Sequence, residues 1–338
     1  VLDAIRLRRL IRDCLAKPVS EKNRSPLAIV VGGGGATGVE FACELASLFH
    51  HLERQGALKR GAWEMTLVEA SRRILPPLPL RASQIAHRRL EKLGVKIMLD
   101  TCIKKVTATG RHPEAQSAEG SLTDVSSHAR EIPRFTRNDG HHVEVILAPR
   151  PLKLGEKSEE LLCGFLPEQE KKLSADIVVW AGGIRANALL MQCGLPIDRK
   201  GRVEVDEHLA VKGLERVFAL GDNALLMNPR TNQPVPALAQ AAIKQGKVAA
   251  ENIARLMKIQ SSTSPAAAGE AELSHVALTP YPFPEFPTVL PIGGKRAIVV
   301  WSKMIFDGFF GWALRQMADL RYFLSILPWT KAARLFCK

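Results

Sequence analysis

Residues 27–58 read LAIVVGGGGATGVEFACELASLFHHLERQGAL. The opening run, Leu27–Val31, is continuously apolar, as expected of a strand buried on both faces of a parallel sheet. Glycines follow at once, and from about Thr37 to Leu58 the apolar residues recur at helical spacing. Strand, glycine turn and helix in that order form the first unit of a dinucleotide-binding fold. Gly33, Gly35 and Gly38 fit the pattern G-x-G-x-x-G. The first permits a tight turn, and the second lets a pyrophosphate approach the backbone. The third lets helix and strand pack closely, with the helix N-terminus facing the phosphates.

The next strand, Met65–Glu69, ends in an acid. There Glu69 can accept hydrogen bonds from the adenosine ribose hydroxyls and repel a 2′-phosphate, which favours NADH over NADPH. Its separation from Gly38, 69 − 38 = 31 residues, exceeds the usual ~20. A lengthened helix and the loop through Trp63 account for the difference.

Upstream, residues 1–17 carry Leu2, Ile5, Leu10, Ile11 and Leu15 on a helical repeat that Pro18 ends, and 20–26 read as a linker. After Glu69 come a Pro-rich turn at 76–79, a basic amphipathic helix over 81–93 and a strand over 95–99. Residues 108–142 are rich in Ser, Gly, His and Arg without periodicity, and read as an insertion. Strands return at 143–147 and 176–180, the latter ending at Gly182-Gly183. A strand over 217–220 ends at Gly221-Asp222, and a helix covers about 236–258. Alternating strands and helices around glycine turns predict an α/β fold with a parallel sheet.

The chain has 338 residues, 46% of them hydrophobic, enough for two domains. Its 47 Lys and Arg against 34 Asp and Glu leave a net charge of +13, which draws polyanions. The six cysteines show no C-x-x-C spacing, so neither a zinc ribbon nor a dithiol motif is indicated. No metal site is expected. The charged start does not read as a signal peptide, and none is expected there. No stretch approaches the ~20 uninterrupted apolar residues of a membrane span.

The segments IVVGGGGATGVEFACELA, MTLVEASRRILPPLP, DIVVWAGGI, VFALGDNA and ALAQAAIKQGKVAAENI occur in this order. Together they resemble the type II (alternative) NADH:quinone oxidoreductases, flavoproteins with two dinucleotide domains. The resemblance implies FAD and NADH held face to face, hydride transfer to the flavin, and two-electron reduction of a membrane quinone without proton pumping. It implies that Gly33, Gly35, Gly38 and Glu69 hold NADH and that Glu40 lies near the nicotinamide–flavin junction. Gly182 and Gly183 would line the nicotinamide site. Asp222 would bind the FAD ribityl chain, with Gly221 permitting the approach. Ala239 and Gln240 would open the helix that borders the quinone. Simpler roles remain open for some of these residues: Glu40 and Glu44 as a solvated helix face, Asp222 as a helix cap, Gln240 as a surface amide.

The chain departs from that family pattern in three places. Gly32 stands where an apolar residue usually ends the strand, which could loosen the turn or shift its register. In the A-Q-x-A-x-Q pattern, Lys244 takes the last place and Gln245 follows. A glycine loop for the FAD adenosine half is missing ahead of Val1, so the chain is expected to be N-terminally truncated and to bind FAD weakly. The expected organisation is 1–26 on the FAD side, 27–185 for NADH, 186–260 as the remainder of the FAD domain, 261–289 as linker and 290–338 as a membrane-interface segment. From Ile305 on, Phe, Trp and Leu interleave with Arg and Lys, as in a helix lying in a lipid interface; the alternative on pattern alone is a core-packing helix hairpin. Anionic lipid is then the polyanion that explains the charge, since no basic-aromatic RNA motif is present. The expected location is peripheral, on the cytoplasmic side of the cell membrane, and a homodimer counts among the expected partners. The competing readings are a soluble disulfide-reductase relative with another electron acceptor and a non-catalytic nucleotide sensor.

Overall fold

The computed structural model describes residues 5, 7–12, 26–108, 135–136, 143–149, 170–262 and 277–331. The chain divides into two compact units, Val1–Gly183 with Pro287–Lys338, and Ile184–Phe286.

Unit 1 begins with β1 (Leu27–Gly32), α1 (Ala36–Arg54), β2 (Trp63–Val68), α2 (Leu80–Lys92) and β3 (Val95–Met98). It continues through β4 (Thr101–Ala108), β5 (Phe135–Thr136), β6 (Val143–Pro149), β7 (Lys171–Ala175) and β8 (Ile177–Trp180). The main sheet has the order β3-β2-β1-β8-β5, with β1 parallel to both β2 and β8 and β5 antiparallel at the edge. Chain order therefore reverses beside β1, creating the crevice where ligands of open α/β sheets bind. Alternation along β1 assigns its two faces: Leu27, Ile29 and Val31 pack with Val39, Ala42 and Phe49 of α1, whereas Val30 packs with Val143, Val145 and Val178. The second face is covered by an antiparallel sheet, β4-β6-β7, rather than by helices. Alternation of strands and helices alone does not reveal this. Most of 108–142 lies outside the described residues.

Unit 2 contains α3 (Leu189–Gln192), β9 (Val203–Glu204), β10 (Ala210–Val211), β11 (Leu214–Phe218), β12 (Ala224–Leu225), β13 (Met227–Asn228), β14 (Gln233–Pro234) and α4 (Ala239–Ser262). The strands form three short pairs, and Val203, Leu209, Leu226 and Val248 share a core with Tyr281. Part of the expected 261–289 linker is thus packed. Tyr281 donates its N–H to the Glu207 carbonyl, and the fully buried Asn252 side chain bonds both backbone groups of Thr279.

The last segment returns to unit 1 as β15 (Thr288–Pro291), β16 (Ala297–Trp301), β17 (Met304–Phe306) and α5 (Gly308–Ile326). Residues 290–306 accordingly differ from the interface segment expected there. Leu290, Ile292 and Ile298 belong to the main core beside α1 and α2, because these short apolar strands bury one face on the helices. Arg89 of α2 fastens the β15–β16 turn, donating to the carbonyls of Ile292 (3.0 Å) and Gly293 (3.1 Å). At the other end of the chain, Leu7 and Ile11 pack against this same core. The helix expected on the FAD side therefore sits in the unit that holds the glycine loop. Among the described residues no helix is long and apolar enough to cross a membrane.

Candidate functional site

Gly32 keeps its place in the ladder, opposite Val68 on one side and Trp180 on the other, so the extra glycine does not shift the register. A Cβ on Gly32 would come within 2.8 Å of Ile103 Cδ1 and 2.9 Å of the Trp180 ring. Those two side chains fill the room that an apolar residue would take. The turn itself starts at Gly33, whose φ of +108° favours glycine and whose Cα faces the Ala181 carbonyl. Gly38, in the first turn of α1, lies against the Gly33 carbonyl, which a Cβ would meet at 1.9 Å. Gly35 differs from both. It is the N-cap of α1 with an ordinary φ of −72°, and nothing lies within 4 Å of where its Cβ would be.

Glu69 follows β2 and turns its carboxylate toward the loop. One oxygen accepts from the Gly34 N–H at 2.5 Å, and the other accepts from the Ser71 N–H at 2.7 Å. Leu75 braces the loop from below by donating its N–H to the Gly34 carbonyl at 2.8 Å. Arg73 holds that brace in shape through the carbonyls of Leu75, Pro76 and Leu78. The sequence reading missed Leu75 and Arg73, and the cluster of prolines at 76, 77 and 79 was the only local signal of a structured turn.

Glu40 is half-buried on α1. Burial raises its carboxyl above the ordinary glutamate range, Arg315 of α5 pulls it back down, and Glu44 adds to the rise. A role for Glu44 as solvated helix face fits its exposure, and Glu40 does not share it. Gly182 and Gly183 follow β8 and are exposed, with the Trp180 indole packed against Gly182 and a φ of +113° at Gly183. Gly33, Gly35, Gly38, Glu69 and the β8 turn therefore meet at the C-terminal ends of β1, β2 and β8.

The remaining residues lie in unit 2. Gly221 (φ +65°) and the exposed Asp222 form a single helical turn after β11. Ala239, Gln240 and Lys244 are exposed on α4, but Gln245 is buried at 3% exposure. Its side-chain oxygen accepts from the Gly221 N–H at 2.6 Å. Gln245 thus faces the Gly-Asp turn while Lys244 faces outward, as their 100° separation on a helix requires.

The family described as pyridine nucleotide-disulphide oxidoreductase matches residues 5–131 and 136–246. A type II NADH:quinone oxidoreductase of Staphylococcus saprophyticus is 26% identical over 262 residues, 77% of this chain and 52% of the relative. One from Staphylococcus aureus is 26% identical over 264 residues, 78% and 53% respectively. The chain thus spans about half the length of the curated relatives it matches. The solved structure of NDH2 from Plasmodium falciparum in complex with NADH has a TM-score of 0.65 at 13% identity, covering 98% of this chain and 69% of that one.

Proposed function

The chain belongs to the pyridine nucleotide-disulphide oxidoreductase family, and from that membership we propose that it acts in flavin-dependent oxidation of NADH with a membrane quinone as acceptor. Gly35 carries this reading. Its backbone is one that any residue adopts and its Cβ direction is empty, so the fold does not require glycine there. The missing side chain leaves open the space ahead of the α1 N-terminus, where a pyrophosphate meets helix N–H groups. Glu69 stands at the ribose end and selects against a 2′-phosphate. The names of the Staphylococcus relatives supply the quinone.

FAD, when bound, would accept a hydride from NADH and pass two electrons to the quinone, so that NADH, a proton and quinone become NAD⁺ and quinol. The chain's own residues bind and orient: the glycine loop holds the pyrophosphate, and Asp222 with Gly221 offers the FAD ribityl chain a carboxylate and a close approach. Gln245 holds that turn through the Gly221 N–H. Glu40, half-buried and with its proton held more tightly than usual, would store a proton near the nicotinamide. Gln240 and Lys244 present the polar surface of α4 to an acceptor. No proton-pumping step is part of this proposal. The exposed aromatic residues of α5 would hold the enzyme on the cytoplasmic face of the membrane.

Calorimetric titration of the chain with NADH and NADPH tests the proposal. Tight NADH binding, weaker NADPH binding and loss of both on enlarging Gly35 are expected. Equal affinity for the two nucleotides overturns the assignment of Glu69, and absence of NADH binding overturns the site.

A further inference from the structure

A second cleft, of about 680 Å³, opens at the end of the main sheet opposite the glycine loop. It is lined by His50, Glu53 and Arg54 at the end of α1, by Arg60 and Trp63 before and in β2, and by Lys92 at the end of α2. Glu64 and Lys96 also face it and pair with each other at 3.0 Å. Glu53 accepts from the Trp63 indole N–H at 3.0 Å, and its other oxygen faces His50 Nδ1 at 2.9 Å. His50 Nε2 faces the Leu93 carbonyl at 3.1 Å. Both oxygens of Glu53 are thus taken up by neighbours inside the cleft, as Glu64 is by Lys96.

Arg54, Arg60 and Lys92 are left over, all exposed and none with an acidic partner among the described residues. The C-terminal ends of α1 and α2 bring about half a negative charge each. They account for roughly one of the three cations, and Arg60 lies on neither helix. We infer that this cleft binds a small dianionic phosphate group, at a site separate from the glycine loop. Its volume suits a small ligand, and the fork of an arginine matches phosphate oxygens. This assignment stands on the cleft's own charges and does not depend on the nucleotide reading above.

The test is titration of the ¹⁵N-labelled full chain with inorganic phosphate, with NADH in excess to occupy the glycine loop. The Trp63 indole N–H resonance reports on the cleft through its bond to Glu53. A saturable shift is expected, weakened tenfold or more in Arg60→Glu and in Lys92→Glu. Lys247→Glu, an equal charge change at an exposed position of α4, should leave it unaltered. No shift, a shift that Arg60→Glu leaves intact, or equal weakening by all three variants overturns the inference. A parallel arm uses phosphatidylglycerol vesicles without inorganic phosphate. Equal sedimentation of the parent and Arg60→Glu is expected, and loss confined to Arg60→Glu would reassign the cleft to lipid headgroups.

Discussion

At the scale of single residues, Gly35 and Gly38 stand three positions apart and do different work. Gly38→Ala drives a methyl group into the Gly33 carbonyl and should cost roughly 3 kcal/mol or more, because backbone must move. Gly35→Ala meets nothing and should change stability by about 1 kcal/mol or less, yet place a methyl group where a pyrophosphate would approach. Thermal melts and NADH titrations of the two variants separate fold from ligand, and a Gly35→Ala protein with parental affinity would remove the loop from the binding site. Glu69→Ala frees the Gly34 N–H as well as removing a ribose partner. Loss of hydrogen bonds to a charged group costs ~1.5–3 kcal/mol, so NADH should bind at least tenfold more weakly and the gap to NADPH should narrow. Glu40 makes a pH-dependent case. Its raised carboxyl binds a proton more tightly folded than unfolded, so it costs stability above that raised value. The cost disappears as pH falls through the ordinary glutamate range. Glu40→Gln should therefore be more stable than the parent in urea at about pH 7, with the gap closing by about pH 4. A constant gap across that range would show that burial does not govern this carboxyl.

At the scale of elements, what the sequence made legible was local. The path from β1 through the glycine loop into α1, and the acid after β2, depend on spacings within a few dozen residues. Their positions emerge within a few residues of expectation, α1 running from Ala36 to Arg54 rather than from about 37 to 58. The β15–β17 sheet was not legible as core. Its partners are 203 and 204 residues away at Arg89, and short apolar strands beside aromatic residues carry no mark of which surface they will meet. The inward turn of Gln245 was equally hidden, because one step along a helix exchanges an exposed for a buried side chain. Arg89 offers a direct test of the long-range contact. Arg89→Ala leaves the Ile292 and Gly293 carbonyls unsatisfied and should cost about 2 kcal/mol. Amide exchange should then accelerate over 288–306 and leave unit 2 unchanged. Exchange that rises evenly throughout would mean the clamp supports the whole fold rather than this sheet.

At the scale of the whole molecule, a net charge of +13 and a helix with uncovered aromatic residues bear on the same proposed partner, an anionic lipid surface. On and after α5, Phe309 (58%), Phe310 (76%) and Trp329 (73%) are exposed, as are Arg321 and Lys331, while Arg315 faces Asp319 at 3.6 Å. Arg334 and Lys338, among the basic residues of the segment expected at the interface from Ile305 on, lie outside the described residues. Removing everything from Ile305 on would be a poor test, since it cuts β17 and strips Gly311 from the Ala297 carbonyl it packs against. Surface substitution avoids that damage. Phe309→Ser, Phe310→Ser and Trp329→Ser together remove apolar area worth ~25 cal/mol per Å² on transfer to lipid, from side chains that are mostly exposed. Each basic residue near the surface adds ~1 kcal/mol that salt screens. The triple variant should melt with the parent but sediment poorly with phosphatidylglycerol vesicles, and what binding remains should vanish in high salt. Arg321→Glu should show the converse, losing mainly the salt-sensitive part. If the triple variant sediments as the parent does at every salt concentration, α5 is not the membrane face, and a quinone would have to reach the enzyme by another surface.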